Sequence, residues 1–199
     1  MKSKISLLVA IFIFTLLVGC DKESERIDDY FVELATVNVR ASTMTFRLDN
    51  GKVLKLESAA TTLDVEDGNR VILDYTPLEG DLIKVNRIRK IFMDVIKEQG
   101  YPQDVKTAPI KIVSIWVSGH YLNMSFDVDY HSKPHDAGLY RDMQAEEPTL
   151  YFSYSRQDDP PGAPTLTYLS FDLKGLESGT PFTVHVNTDK GMREFEFSL

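Results

Sequence analysis

The chain has 199 residues, and its 22 Lys and Arg against 30 Asp and Glu give a formal net charge of −8. This acidic balance disfavours general attraction to nucleic acid or to an anionic membrane surface, so we expect no nucleic-acid partner. A hydrophobic content of 43% is enough for packed cores, and the length allows one large or two small domains.

Residues 1–19 have the composition of a secretory signal peptide. Lys2 and Lys4 precede a 14-residue apolar run, Ile5 to Val18, that is interrupted only by Ser6 and Thr15. A basic start, an apolar stretch of this length and small residues at its end are typical of such a signal. A membrane-spanning helix would need about 20 apolar residues.

Leu17-Val18-Gly19-Cys20 resembles a bacterial lipobox, in which the cysteine receives a lipid and the chain is cut just before it. Cys20 is the only cysteine. The alternatives are an ordinary signal peptide with a chance cysteine, or half of a disulfide, but a lone cysteine has no internal partner. We therefore expect a membrane anchor through a covalent lipid on Cys20, and no other cofactor.

Residues 20–29 are mostly charged and predict a solvated tether. Removal of the signal would leave 20 basic against 30 acidic residues. The tract that follows the anchor resembles the one that marks lipoproteins for surface export in the Bacteroides group; its residues are Asp21, Lys22, Glu23 and Glu25. We expect an outer-membrane lipoprotein that faces the cell exterior; the alternative is a plain hydrophilic spacer on a periplasmic protein.

Residues 30–105 are expected to form a small barrel. Tyr30 to Arg40 is rich in β-branched and apolar residues. The segment "TMTFRLDNGKVLKLES" predicts a hairpin, because Met44, Phe46 and Leu48 alternate with polar residues and an Asp-Asn-Gly turn follows them. A second hairpin is predicted from Asn69 to Val85. Five short strands suit a small barrel.

The segment from Asn86 to Gly100 is ambiguous. The alternation slips at Asn86, which predicts either a β-bulge or the start of a helix. Apolar residues then recur at helical spacing up to Gly100. The Gly- and Pro-marked stretch from Gly100 to Pro109 predicts a domain boundary, with the second domain at residues 106–199.

Residues 106–199 predict a β-sandwich. Six segments carry one apolar face each and are separated by turn residues, which is best satisfied by two sheets packed face to face. The clearest is "YLNMSFDVDY", in which alternate residues from Leu122 to Tyr130 are apolar. The whole chain is therefore expected to be all-β.

The chain resembles the NigD-like lipoproteins of the Bacteroides group. The residues that carry the likeness are the lipobox, "RVILDYTPLEGD", "SIWVSGHYLNMSF" and "YLSFDLKGL"; the Trp-x-Ser-Gly-x-Tyr-Leu-Asn pattern is the most specific. The resemblance implies an N-terminal OB-type barrel followed by a C-terminal β-sandwich. It also implies an association with bacteriocin gene clusters, and it carries over no catalytic residue.

The best candidate for chemistry is the stretch from Asp127 to Asp136. Carboxylates and imidazoles two residues apart on a strand can converge on a metal such as zinc, and the candidate ligands are Asp127, Asp129, His131 and His135. The competing interpretation is the polar face of a half-buried strand, which we favour. We therefore expect no bound metal and no enzyme activity, with a metal-dependent hydrolase as an alternative.

Trp116 and Tyr121 are candidate ligand contacts. They flank a predicted turn at Ser118-Gly119, and an exposed aromatic pair could stack on a sugar, although a Trp in such an apolar strand more often belongs to a core. The sequence thus predicts a non-catalytic binding or accessory lipoprotein with a protein or glycan partner. A bacteriocin-associated or immunity role is the main alternative.

Overall fold

The computed structural model describes residues 29–41 and 43–199. The signal peptide, Cys20 and the tract formed by Asp21, Lys22, Glu23 and Glu25 lie outside these residues. Every regular element in the described ranges is a strand, so the fold is all-β as predicted. No helix within those ranges is long and apolar enough to cross a membrane.

The first five strands close into a barrel in the order β1-β2-β3-β5-β4. Their bounds are β1 Phe31–Arg40, β2 Thr43–Leu48, β3 Val53–Ala59, β4 Arg70–Pro77 and β5 Leu82–Lys90. Strands β3 and β5 are parallel, and the other neighbouring pairs are antiparallel. This is the strand order of an OB-type barrel, and inward residues such as Val37, Phe46 and Leu73 fill its core.

The other eight strands form one sheet in the order β13-β12-β10-β9-β6-β11-β8-β7. Their bounds are β6 Phe92–Lys97, β7 Lys111–Ser118, β8 Tyr121–Tyr130, β9 Asp136–Arg141, β10 Thr149–Ser155, β11 Ala163–Asp172, β12 Pro181–Thr188 and β13 Gly191–Ser198. The two halves of this sheet fold over one shared core, in which Phe126 of β8 meets Phe152 of β10 at a ring-centroid distance of 5.7 Å. The domain is therefore a sandwich.

The bulge predicted near Asn86 is present. Asp74 pairs with Arg87 and Tyr75 pairs with Val85, so Asn86 is the extra residue of β5. The Asn86 side chain spans the irregularity by donating to Asp74 at 3.1 Å and to Thr76 at 3.0 Å. The apolar residues after the bulge do not form a helix.

The helical spacing after Lys90 was misleading, because this segment is strand β6. Its first four residues, 92–95, pair with β11, and its last two residues pair with β9. A strand that changes partner half-way joins the two layers of the sandwich and does not keep one face toward the core. The alternation that marks an ordinary strand is consequently absent.

The structure moves the division between the domains from residue 105 to the three residues around Ile91. Strand β5 ends the barrel at Lys90, and β6 begins the sandwich at Phe92. The Gly- and Pro-marked stretch is instead packed on the sandwich: the Tyr101 ring stacks on Tyr151 at 4.3 Å, and the Tyr154 amide donates to the Lys106 carbonyl at 2.8 Å.

Candidate functional site

A buried arginine joins the barrel to the sandwich. Arg70, the first residue of β4, is 1% exposed. Its Nη1 and Nη2 atoms each lie 2.6 Å from a different oxygen of Asp49. Nη2 also donates to the Asn123 side chain at 3.2 Å and Nε donates to Ser170 at 3.3 Å. Because Asn123 and Ser170 belong to the sandwich, one guanidinium fixes the two domains against each other.

The hairpin between β7 and β8 completes this junction. The Arg70 guanidinium lies 4.0 Å from the centre of the Tyr121 ring, within the range of a cation–π contact. The Tyr121 hydroxyl lies 3.1 Å from Thr36 of the barrel. Gly119 has φ +59°, and a Cβ there would lie 2.8 Å from the Asp49 carbonyl oxygen. A side chain at this position would push the barrel away.

A cleft of about 570 Å³ lies beside the junction. The sandwich contributes Trp116, Ser118 and Tyr168, and the barrel contributes the rest of the lining, which is Val32, Glu33, Leu34, Asp49, Asn50, Ile72 and Arg89. The Arg89 guanidinium lies 4.9 Å from the centre of the Tyr168 ring. A mainly apolar, aromatic cleft at a domain interface with a few polar groups is the usual form of a ligand site.

The two aromatic residues singled out in the sequence have different environments. Trp116 is partly buried and lines the cleft. Tyr121 is 6% exposed, because its ring is covered by Arg70 and by His120, whose ring centre is 4.1 Å away. Tyr121 therefore supports the junction, whereas Trp116 lines the cleft.

His120, next to Tyr121, borders a smaller pocket of about 350 Å³ between the barrel and the hairpin that joins β7 to β8. Burial lowers the pKa of His120, and the carboxylate of Asp172 opposes that effect only in part. The ring is therefore held in its neutral form at the junction.

The structure does not bring the four candidate metal ligands together. Asp127 pairs with Lys111 at 3.1 Å, and the His131 ring contacts Ser132 at 2.8 Å. His135 lies instead against Asp159 and Tyr154, while Asp127 and Asp129 line a pocket of about 270 Å³ that neither histidine lines. Among residues 29–41 and 43–199, no group of three or more His, Cys, Asp or Glu is placed to hold a metal ion.

Asp159 organises the loop that contains His131 and His135. Its carboxylate accepts the backbone N–H groups of His131, Ser132 and Lys133 at 2.8, 3.0 and 2.9 Å. It also lies 3.0 Å from Nε2 of His135, whose Nδ1 faces the Tyr154 hydroxyl. An Nε2–H tautomer satisfies both contacts, with Tyr154 donating to Nδ1.

These contacts change the acidity of two groups. Burial alone would raise the pKa of Asp159, but the three backbone donors and His135 outweigh it and hold the pKa below its usual value. Burial raises the pKa of Tyr154 to about 12. Asp159 is only 5% exposed, so its carboxylate is buried in this loop rather than solvated.

The comparisons with known proteins agree with this architecture. The family described as the NigD-like C-terminal beta sandwich domain matches residues 93–199. The chain belongs to the NigD-like family. The matched region begins one residue after the start of β6, so the family's domain includes the strand at the seam of the sandwich. No curated protein matches the sequence.

Solved structures with a similar fold come from Parabacteroides and Bacteroides species. A protein from Parabacteroides distasonis described as toxin-related has 25% identity and a TM-score of 0.76, covering 86% of this chain and 93% of its own. A NigD-like immunity protein from Bacteroides caccae has 18% identity and a TM-score of 0.65, covering 86% and 97%. A Bacteroides fragilis protein described as a lipoprotein has 17% identity and a TM-score of 0.60, covering 85% and 96%.

Sequence reasoning missed the residues that build the junction of this NigD-like protein. Arg70 stands at the start of a strand, where a charged residue is ordinarily solvated. Asp49 belongs to a turn signal that the hairpin already explained. The available clue was the Trp-x-Ser-Gly-x-Tyr-Leu-Asn pattern, whose glycine, tyrosine and asparagine all contact the barrel.

Proposed function

We propose that this NigD-like protein is a lipid-anchored accessory protein of the bacterial cell envelope that acts by binding a ligand rather than by catalysis. The lipobox at Cys20 and the acidic tract after it support an outer-membrane location on the cell surface. The similarity to a protein described as a lipoprotein supports attachment to the envelope.

The observation that carries this proposal is the cleft between the two domains. Its volume of about 570 Å³ lies within the range typical of sites for small ligands. The Arg70 contacts on both sides of the domain interface hold the walls in place before a ligand arrives. A preformed site loses less conformational entropy on binding, which favours affinity.

A photoreactive amino acid placed in the cleft tests this proposal in intact cells. Asn50 is exposed on the barrel wall of the cleft, so p-benzoylphenylalanine at this position should capture the ligand on illumination. The matched control is the same substitution at Met192, which is 53% exposed on the edge strand β13. A product specific to position 50 is expected; equal products at both positions, or none at either, would refute the cleft as the binding site.

Bacteriocin immunity is the second candidate function, and the observation that favours it is the similarity to a NigD-like immunity protein. It would use the same envelope location, with a bacteriocin or its receptor as the partner. Expression in a bacteriocin-sensitive strain should then raise survival. Unchanged survival against the bacteriocins of neighbouring strains would count against this role and leave the binding proposal intact.

A further inference from the structure

We propose that the cleft binds a neutral oligosaccharide through stacking of a sugar ring on Trp116. This inference rests on the proposed binding function and names the chemical class of the ligand. It follows from the shape of the sandwich wall, from the chemistry of the aromatic residues and from the charge balance of the cleft.

The sandwich wall of the cleft is a trough between two aromatic side chains. Trp116 of β7 pairs with Asn123 of β8, and Tyr168 of β11 pairs with Ser125 of β8. Asn123 and Ser125 are two residues apart on β8 and therefore share a face, and both are small and buried. Because β7 and β11 are the two neighbours of β8, the aromatic residues stand about two strand spacings, roughly 10 Å, apart across its surface.

This geometry suits a flat ring that is apolar on its faces and polar at its rim. A pyranose exposes axial C–H groups on its faces and hydroxyl groups around its edge. Its face packs on an indole by dispersion and by attraction of the C–H groups to the negative face of the π-system. The cleft offers partners for the rim, because Arg89 and Asn50 carry N–H donors and Glu33 carries acceptor oxygens.

The charges of the lining favour an uncharged ligand. The Asp49 carboxylate is neutralised by Arg70 at 2.6 Å, which leaves Glu33 and Arg89 as one negative and one positive group. An acidic ligand would be attracted by Arg89 and repelled by Glu33, so the lining offers it no net electrostatic gain to offset its lost hydration. A purely apolar ligand would cover Glu33 and Arg89 without replacing their hydrogen bonds to water, and that desolvation is costly.

A hydrogen bond from Tyr75, a neighbour in the barrel, fixes the position of the Glu33 carboxylate. The Tyr75 hydroxyl donates to Glu33 Oε2 at 2.6 Å, and burial together with this hydrogen bond raises the pKa of Tyr75. The hydroxyl therefore stays protonated and fixes the carboxylate. A carboxylate has about four acceptor positions, so Glu33 can still accept sugar hydroxyls.

The chain contains one tryptophan, so its fluorescence reports on the cleft alone. The full-length lipidated protein in detergent should be titrated with the neutral oligosaccharides maltohexaose, xylohexaose and mannohexaose, and with an acidic oligogalacturonate. We expect a saturable change in Trp116 emission with at least one neutral oligosaccharide and a weaker response to the acidic one. In Tyr168→Ala, the affinity should fall about tenfold, the size expected when an aromatic wall is lost.

Two variants control for folding and for the reporter. Tyr130→Ala removes a tyrosine that is 41% exposed outside the cleft and should leave the affinity unchanged. Trp116→Ala should abolish the heat of binding in calorimetry while melting cooperatively. Absence of saturation with all three neutral oligosaccharides, or an equal loss of affinity in Tyr168→Ala and Tyr130→Ala, would overturn the proposal.

The crosslinking experiment separates this inference from the proposed function. A protein captured specifically at position 50, together with flat titrations, would mean that the cleft binds a polypeptide and that the ligand class is wrong. No specific product at position 50 together with flat titrations would overturn both proposals.

Discussion

The Arg70 side chain is only 1% exposed, yet each nitrogen atom of its guanidinium group contacts a polar partner. Asp49 of the barrel balances its charge. Asn123 and Ser170 of the sandwich accept hydrogen bonds from its Nη2 and Nε atoms. The Ser170 hydroxyl itself donates to Asn123 at 2.6 Å. Because these groups are buried and depend on one another, removal of one member leaves the others without partners, which makes this junction sensitive to single substitutions.

Arg70→Ala should destabilise the protein by about 3–5 kcal/mol, the usual cost of leaving one partner of a buried ion pair uncompensated. Urea titration should also resolve separate transitions for barrel and sandwich, because the shared network is lost. Lys111→Ala breaks the exposed pair with Asp127 and should cost at most about 1 kcal/mol. A similar loss in both variants would show that the junction is not the main coupling between the domains.

Asp159 should make stability depend on pH in the acid range. Its pKa is lowered in the folded protein, so its contribution is fully present above the ordinary carboxyl value of about 4 and disappears as the pH falls through the lower folded value. The unfolding midpoint in urea should therefore fall less steeply between about pH 4 and about pH 2 in Asp159→Asn than in the unmodified protein.

Asp158→Asn is the matched control for this measurement. The Asp158 side chain is 79% exposed and contacts Lys133 at the surface. Its removal should leave the acid dependence nearly unchanged, since exposed ion pairs contribute little. If both variants lose the same share of the pH dependence, the buried carboxylate is not its source.

At the scale of strands, the sequence predicted the strands that pack one face against a core. It missed the strands that lack this regular alternation. Both barrel hairpins and the Asp49-Asn50-Gly51 turn are present, with Gly51 at φ +86°. Six strands of the sandwich were predicted, but β6 and β9 were missed. Strand β6 changes partner at the seam, and β9 is a short strand with Gly138 at its centre, so neither has regular alternation.

The candidate site was predictable only in part, for a related reason. Trp116 could be found because aromatic residues beside a turn are conspicuous. Its partners Arg89, Glu33 and Asn50 come from three separate elements of the barrel. Such residues meet only when the domains dock, and no local spacing encodes that contact.

The position of β6 gives a test of the domain division. A fragment of residues 106–199 lacks the strand that pairs with both β9 and β11, so it should lack a cooperative thermal transition. A fragment of residues 92–199 keeps that strand and should melt cooperatively, as followed by circular dichroism at 218 nm, a wavelength typical of β-structure. Cooperative melting of the shorter fragment would show that β6 is dispensable and would restore the division at residue 105.

At the scale of the whole molecule, the barrel lies between the anchor and the sandwich along the chain. Cys20 precedes the first barrel strand by 11 residues, and only Ile91 separates the last barrel strand from the sandwich. Under the proposed lipidation of Cys20, the tether would set the distance to the membrane, whereas the direct connection after the barrel leaves little freedom between the domains.

External protease should remove the folded domains from intact cells. Alanine at Asp21, Lys22, Glu23 and Glu25 should protect them without affecting lipidation, because the substitutions alter the export tract and leave Cys20 in place. Protection of the unmodified protein in intact cells would mean that it faces the periplasm.

Cys20→Ala should abolish fatty-acid labelling and release the protein, since each buried CH₂ of the lipid contributes about 0.8 kcal/mol to membrane binding.

The direction of the barrel strands has a mechanical consequence. Strand β1 is antiparallel to β2, β2 is antiparallel to β3, and β3 is parallel to β5, so β1 and β5 run the same way. The chain thus enters the barrel at Phe31 and leaves it at Lys90 on opposite ends. A pull between Phe31 and the sandwich would act along the strands, where the hydrogen bonds of a ladder must break together rather than one after another. If Cys20 carries the proposed lipid, the barrel would transmit load between the membrane and the sandwich.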